Sequence, residues 1–102
     1  MKKDYDKALF YLEKCIKKDP FYLSGYKSIA FVYSELENKE KQKEYYQKII
    51  DIHDNKKSDD HMTAAIAYHE FANILYYDDE NVEKALQFYN KSIEIFPGLI
   101  FD

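Results

Sequence analysis

His69 and Glu70 are the first residues to test for chemistry. His-Glu opens the zinc-protease signature, in which two histidines share one helix face and a glutamate between them acts as general base. The second histidine is due four residues after the first, but that residue is Asn73, so the signature fails and His69 reads as an ordinary core or surface histidine. His53, His61 and His69, with Asp59 and Asp60, could gather a metal ion, yet their spacing matches none of the usual ligand patterns. No metal and no cofactor are expected. Cys15 is the single cysteine, so no internal disulfide forms. It falls in an apolar stripe at helical spacing, which reads as a buried, inert thiol. No nucleophile elbow, glycine-rich phosphate loop or basic stripe occurs, and lysines alternate with acids as on a solvated face. No catalytic residue is expected, and the chain reads as non-enzymatic.

Composition narrows the remaining classes. The 102 residues include 15 lysines, no arginine and 19 acids, for a net charge of −4. An acidic chain without the usual bidentate reader of phosphate and guanine is not expected to bind nucleic acid. No apolar run is long enough to span a membrane, and Met1-Lys2-Lys3-Asp4 leads into no signal peptide, so a cytoplasmic location without membrane contact is expected. Two glycines and two prolines are too few for a sandwich or barrel, which leaves an all-α chain.

The elements follow from the spacing of apolar residues. Ala8, Leu9, Leu12, Cys15 and Ile16 lie on one helix face, bounded by Asp4 and Asp6 at the start and by Asp19-Pro20 at the end. Tyr26, Ile29, Ala30, Tyr33 and Leu36 mark a second helix with Ser24 as N-cap, and Tyr45, Tyr46, Ile49, Ile50 and Ile52 a third. After the polar loop from Asp54 to Asp60, with Asp59 or Asp60 as cap, a fourth helix carries Met62, Ala65, Ile66, Tyr68, Phe71, Ala72 and Leu75. A fifth carries Val82, Ala85, Leu86, Tyr89, Ile93 and Phe96, and Pro97-Gly98 closes it. The reading is about five helices, each of roughly four turns.

The helices repeat. Three segments align without gaps, beginning at Asp4, Asn38 and Asn81, a spacing of 34 residues and then 43. A second pair aligns as GYKSIAFVYSEL (25–36) and AYHEFANILYYD (67–78). A 34-residue helical hairpin with a small residue early in its second helix, an aromatic four residues on and a closing proline resembles the tetratricopeptide repeat. The second-helix matches are Tyr5, Ala8, Leu12, Cys15 and Pro20, then Lys39, Gln42, Tyr46, Ile49 and Asp54, then Val82, Ala85, Tyr89, Ser92 and Pro97. The first-helix matches are Tyr26, Ile29, Ala30 and Tyr33, then Tyr68, Phe71, Ala72 and Leu75. Gln42 stands where the family has a small residue and Asp54 where it has proline, and about eight extra residues separate the second and third copies.

The resemblance implies an all-α solenoid of tandem helix-turn-helix repeats in a short right-handed superhelix. It is read as a single repeat domain over 1–102, with a second helix at 4–19 and hairpins at 22–54 and 60–97, and as part of a longer array. In proteins similar to this one the first helices line a concave groove that holds a peptide, without catalysis. Carried onto this chain, that groove shows Lys27, Phe31 and Ser34 from one helix and Ile66, His69, Asn73, Tyr76 and Tyr77 from the other. Some family members clamp a C-terminal carboxylate with lysines, an arginine and asparagines. Only Lys27 and Asn73 match here, while Ser28 and Glu70 stand where such a clamp needs its other members, so that ligand is not expected. A protein or peptide partner is expected. The rival reading is a structural or oligomerisation segment, in which the uncapped ends, including Leu99, Ile100 and Phe101, self-associate.

Overall fold

Short polar side chains start four of the helices in the computed structural model, which describes residues 4–98. Helix α1 (Tyr5–Lys18) begins where the Asp4 carboxylate accepts the Lys7 N–H at 3.0 Å. Helices α3 (Lys39–Asp54), α4 (His61–Tyr77) and α5 (Val82–Ile95) begin in the same way at Asn38, Asp60 and Asn81. In each, a side-chain oxygen takes an amide that has no partner inside the helix. Helix α2 (Leu23–Glu35) departs from the expectation: Tyr22 stands at its cap with no side-chain bond, and Ser24 lies inside the helix. The link after Pro20 is the cause. The Tyr22 N–H bonds the Asp19 carbonyl at 3.2 Å, and this turn delivers Leu23 directly into the core, so the helix starts two residues earlier.

The helices end by backbone bonds. After α2, the Asn38 N–H reaches the Tyr33 carbonyl at 2.9 Å and the Glu37 N–H reaches that of Ser34 at 3.0 Å; Lys57 and Lys56 repeat this after α3. Such a terminus needs a left-handed residue, usually glycine. Here Glu37 (φ 56°), Lys56 (φ 59°) and Glu80 (φ 53°) occupy that region. A side chain costs energy there that glycine does not. Glu37→Gly and Lys56→Gly are each expected to stabilise the chain by about 0.5–1 kcal/mol, read by urea denaturation; destabilisation by either would mean that the turn is held by the side chain.

Sequential helices pack pairwise from α1 to α5, and α2 also contacts α4, so the two first helices stand side by side. No strand occurs among the described residues. The core runs through Leu23, Tyr26, Ile29 and Ala30 of α2, Tyr46, Ile49 and Ile50 of α3, and Ala64, Tyr68, Phe71 and Leu75 of α4. Ala30, Ala72 and Ala85 are wholly buried, as the repeat pattern requires of small residues at helix crossings, whereas Ala8 is only half-buried. Gly25 marks another close approach: a Cβ there would lie 2.7 Å from the Ile16 side chain of α1. Phe88 fills the hairpin of α4 and α5 with its ring edge-on to Tyr68 and Phe71, centroids 5.3 and 5.1 Å away.

Three expectations are corrected. Cys15 is exposed, not buried. Helix α1 turns Leu9, Leu12 and Ile16 onto the core, and no described residue of α1 is fully buried, so the rest of its stripe faces solvent. Leu86 and Ile93 of α5 are exposed for the same reason. On α5 the buried residues are Ala85 and Ser92; the Ser92 hydroxyl donates to the Ala65 carbonyl at 2.7 Å. Asp54, which replaces the repeat's proline, accepts the Tyr68 hydroxyl at 3.2 Å and so ties α3 to α4. Leu99, Ile100 and Phe101 lie outside the described residues.

Burial raises the phenol pKa of Tyr26, Tyr45, Tyr46, Tyr68 and Tyr89 above the ordinary value of 10, and for Tyr68 the Asp54 carboxylate adds to the rise. The folded chain therefore holds these protons more tightly than the unfolded one. Stability is full below pH 10 and falls as pH rises beyond it. Thermal melts across that range, with tyrosinate absorbance recorded in parallel, should show melting temperature falling as absorbance grows; a flat melting temperature would contradict the burial of these rings.

Candidate functional site

Where α2 stands beside α4, a cavity of about 610 Å³ opens. Its apolar lining comes from Leu12 of α1, Phe31 and Val32 of α2, and Ile66 of α4. Its polar lining comes from Lys27, Ser28 and Ser34 of α2, Gln42 and Tyr46 of α3, and Glu70 of α4. Apolar walls with a few convergent polar groups are what a ligand site needs. Helical spacing explains the arrangement. Tyr26, Ile29, Ala30 and Tyr33 are turned onto the core, so Lys27, Phe31 and Ser34 fall on the other face of α2, and Ile66 and Glu70 do the same on α4. Phe31 is 62% exposed, somewhat more than Phe10 and Phe21, and alone of the three it lines this cavity.

The cavity takes in Lys27, Phe31, Ser34 and Ile66 of the eight residues that the repeat pattern put in a groove. His69, Asn73, Tyr76 and Tyr77 do not line it. The Asn73 side-chain oxygen accepts the Tyr89 hydroxyl at 2.5 Å, and the His69 ring meets the Tyr89 ring edge-on at 5.4 Å, so both are drawn toward α5. Tyr76 and Tyr77 pack edge to face near the end of α4, and Tyr77 is 73% exposed. The eight residues thus form two surfaces, one between α2 and α4 and one along α4 and α5. Glu70, Gln42 and Tyr46 were not among the expected groove residues. Gln42 and Tyr46 come from a second helix, and only the register between helices brings them to the cavity floor.

The floor is electrostatically distinct. Burial pushes the Tyr46 phenol up to about 12; the Glu70 carboxylate adds to the rise and the Gln42 side chain opposes it. Gln42 is 6% exposed, and its Oε1 is buried without a hydrogen-bond partner. Lys27 and Glu70, of opposite charge, line the cavity from different helices.

The histidine cluster behaves otherwise. His53 Nε2 lies 2.8 Å from His61 Nδ1 beside the loop between α3 and α4, in a second cavity lined mainly by the polar residues of that loop. His69 stands apart against Tyr89. Among the described residues no group of three or more histidine, cysteine or acidic side chains is placed to hold a metal ion. Among them, too, no helix is long and apolar enough to cross a membrane.

Paired helices with buried alanines at the crossings, stacked so that first helices adjoin, agree with comparison to known families. The tetratricopeptide-repeat family model matches residues 22–97, and a second model of the same repeat matches residues 2–22. The chain belongs to the tetratricopeptide-repeat family. Repeats of this kind bind protein partners, and the family is typically non-catalytic. The chain is also 44% identical over 46 residues to a protein of Guillardia theta described as "Uncharacterized protein ycf37"; the match covers 45% of this chain and 26% of that protein. The chain therefore spans about a quarter of the length of that relative.

Proposed function

We propose that this tetratricopeptide-repeat chain is a non-catalytic interaction module whose cavity between α2 and α4 receives a segment of a partner protein. The observation that carries this reading is Phe31, an exposed aromatic that lines the cavity together with Leu12, Val32 and Ile66. Aromatic anchors contribute most of the energy at such surfaces, and a rigid helical scaffold presents them without a large ordering cost. Peptides selected by display on the folded chain provide the test. Phe31→Ala is expected to weaken their binding by about 1 kcal/mol or more while stability stays within about 0.5–1 kcal/mol of the parent. Lost stability with binding kept would place the ring in the core and the binding surface elsewhere.

A second reading has its own observation. Phe10 and Tyr11 on α1, and Val82, Leu86 and Ile93 on α5, leave apolar surface open at both ends of the stack. A structural or oligomerisation segment would use those ends and leave the cavity empty. Light scattering over a concentration series separates the two, because the interaction module remains monomeric while its cavity is available.

A further inference from the structure

We propose that the outer face of α1 is a second docking surface, which takes an acidic amphipathic helix of a partner protein. The proposal goes beyond the cavity reading. Leu12 lines that cavity, and the face in question lies on the opposite side of the same helix. Along the sequence the lysines of this segment alternate with acids, but the helix sorts them. Leu9, Leu12 and Ile16 turn onto the core. Lys7, Phe10, Tyr11, Lys14, Lys17 and Lys18 recur at helical spacing on the side away from it, and all six are exposed. The acids are placed elsewhere. The Asp4 carboxylate caps the helix by accepting the Lys7 N–H. Glu13 lies close enough to Tyr45 of α3, and Asp19 to Tyr26 of α2, to add to the rise that burial gives those phenols. Asp6 is left on the flank. The fold thus forms a basic stripe that the linear sequence does not display.

Two observations set this face apart. Among the described residues none of its four ammonium groups pairs with a carboxylate, whereas Lys39, Lys41, Lys43 and Lys91 each do. Aromatic rings also stand between the charges. Phe10 and Tyr11 are both more than half exposed and meet edge to face at 5.4 Å, and the Lys14 ammonium lies 4.5 Å over the Phe10 ring. The helix dipole accounts for Lys17 and Lys18 in the last turn, but not for Lys7 and Lys14. Charge complementarity names the occupant: carboxylates for the four unpaired cations, and an apolar side chain for the two rings. The stripe runs about 16 Å from Lys7 to Lys18 at about 1.5 Å per residue, and a second helix laid along it repeats its side chains at the same interval. An anionic membrane fits less well. It repels a chain of net charge −4, and this face has only two rings to insert.

Three acetylated and amidated helical peptides test this, identical except that the positions flanking a leucine stripe hold glutamate, glutamine or lysine. Binding to the full chain is measured by calorimetry at two salt concentrations. The glutamate peptide is expected to bind at least about tenfold more tightly than the glutamine peptide, with an advantage that shrinks at higher salt, and the lysine peptide not to bind. Lys14→Gln, Lys17→Gln and Lys18→Gln combined are expected to remove most of that advantage. Phe10→Ala is expected to weaken the glutamate and glutamine peptides alike. Both variants should leave the urea midpoint little changed, because the substituted side chains face solvent. Equal binding of the glutamate and glutamine peptides, no binding, or an advantage untouched by the lysine variant would overturn the proposal. Glutamate-peptide binding lost in Phe31→Ala but kept in the lysine variant would move the acidic segment to the cavity, overturning the proposal and leaving the cavity reading standing. Two other results would overturn it in favour of a different occupant. Sedimentation with anionic phospholipid vesicles, lost in the lysine variant, would assign the face to a membrane. Mass that grows with concentration in light scattering, and stays monomeric in the lysine variant, would assign it to a second copy.

Discussion

Ile49→Ala should cost about 2–5 kcal/mol, the largest loss expected of a single substitution in this chain. Ile49 is wholly buried on α3 and belongs to the core cluster shared with α2 and α4. Removing its outer carbons opens a cavity that three rigid helices cannot close, so the lost transfer energy and the cavity cost add. A small helical protein has only about 5–15 kcal/mol of stability in total, so the variant should unfold at markedly lower urea concentration. A midpoint shift equivalent to less than about 1 kcal/mol would mean that α3 does not pack between its neighbours as described.

Ala72→Leu should also destabilise, by about 1–3 kcal/mol, for the opposite reason. Ala72 is wholly buried on α4, the helix that packs most intimately with α5, where Ala85 is equally buried. The repeat pattern puts small residues at both positions because the helices approach too closely for anything larger. Leucine must push α5 away or adopt a poor rotamer, and either disturbs Phe88 between Tyr68 and Phe71. A thermal melt unchanged by Ala72→Leu would contradict the repeat register itself.

The helices were legible because two local signals coincide. Apolar residues recur at helical spacing, and Asp4, Asn38, Asp60 and Asn81 stand where a side-chain cap is needed. The start of α2 was not legible, because the burial of Leu23 and the turn after Pro20, not a cap, decide where that helix begins. Cys15, Leu86 and Ile93 show another limit. Periodicity reports which face of a helix is apolar, but not whether a neighbour covers it, and α1 and α5 lie at the two ends of the stack. Ser92 shows the converse: a polar residue is buried there because the Ala65 carbonyl accepts its hydroxyl, a pairing 27 positions apart that no local pattern reveals.

The site divides along the same line. Phe31 and Ile66 could be found because they fall outside the core stripes of their own helices. Gln42 was visible only as an oddity, a long polar residue where the repeat has a small one. That its oxygen is buried and unpaired at the cavity floor follows from the packing of α3 against α2 and α4. Asn73 and His69 occupy groove positions in the repeat pattern, yet Tyr89 engages both, and that too is set by the pairing of α4 with α5.

Amide chemical-shift mapping of the labelled chain, titrated with a peptide selected on it, tests the central claim most directly. Binding between α2 and α4 predicts that the largest changes fall on Lys27, Phe31, Gln42, Ile66 and Glu70, with α1 beyond Leu12 and the outer face of α5 little altered. Changes confined to Phe10 and Tyr11 of α1, or to Leu86 and Ile93 of α5, would contradict it and assign recognition to the ends of the stack.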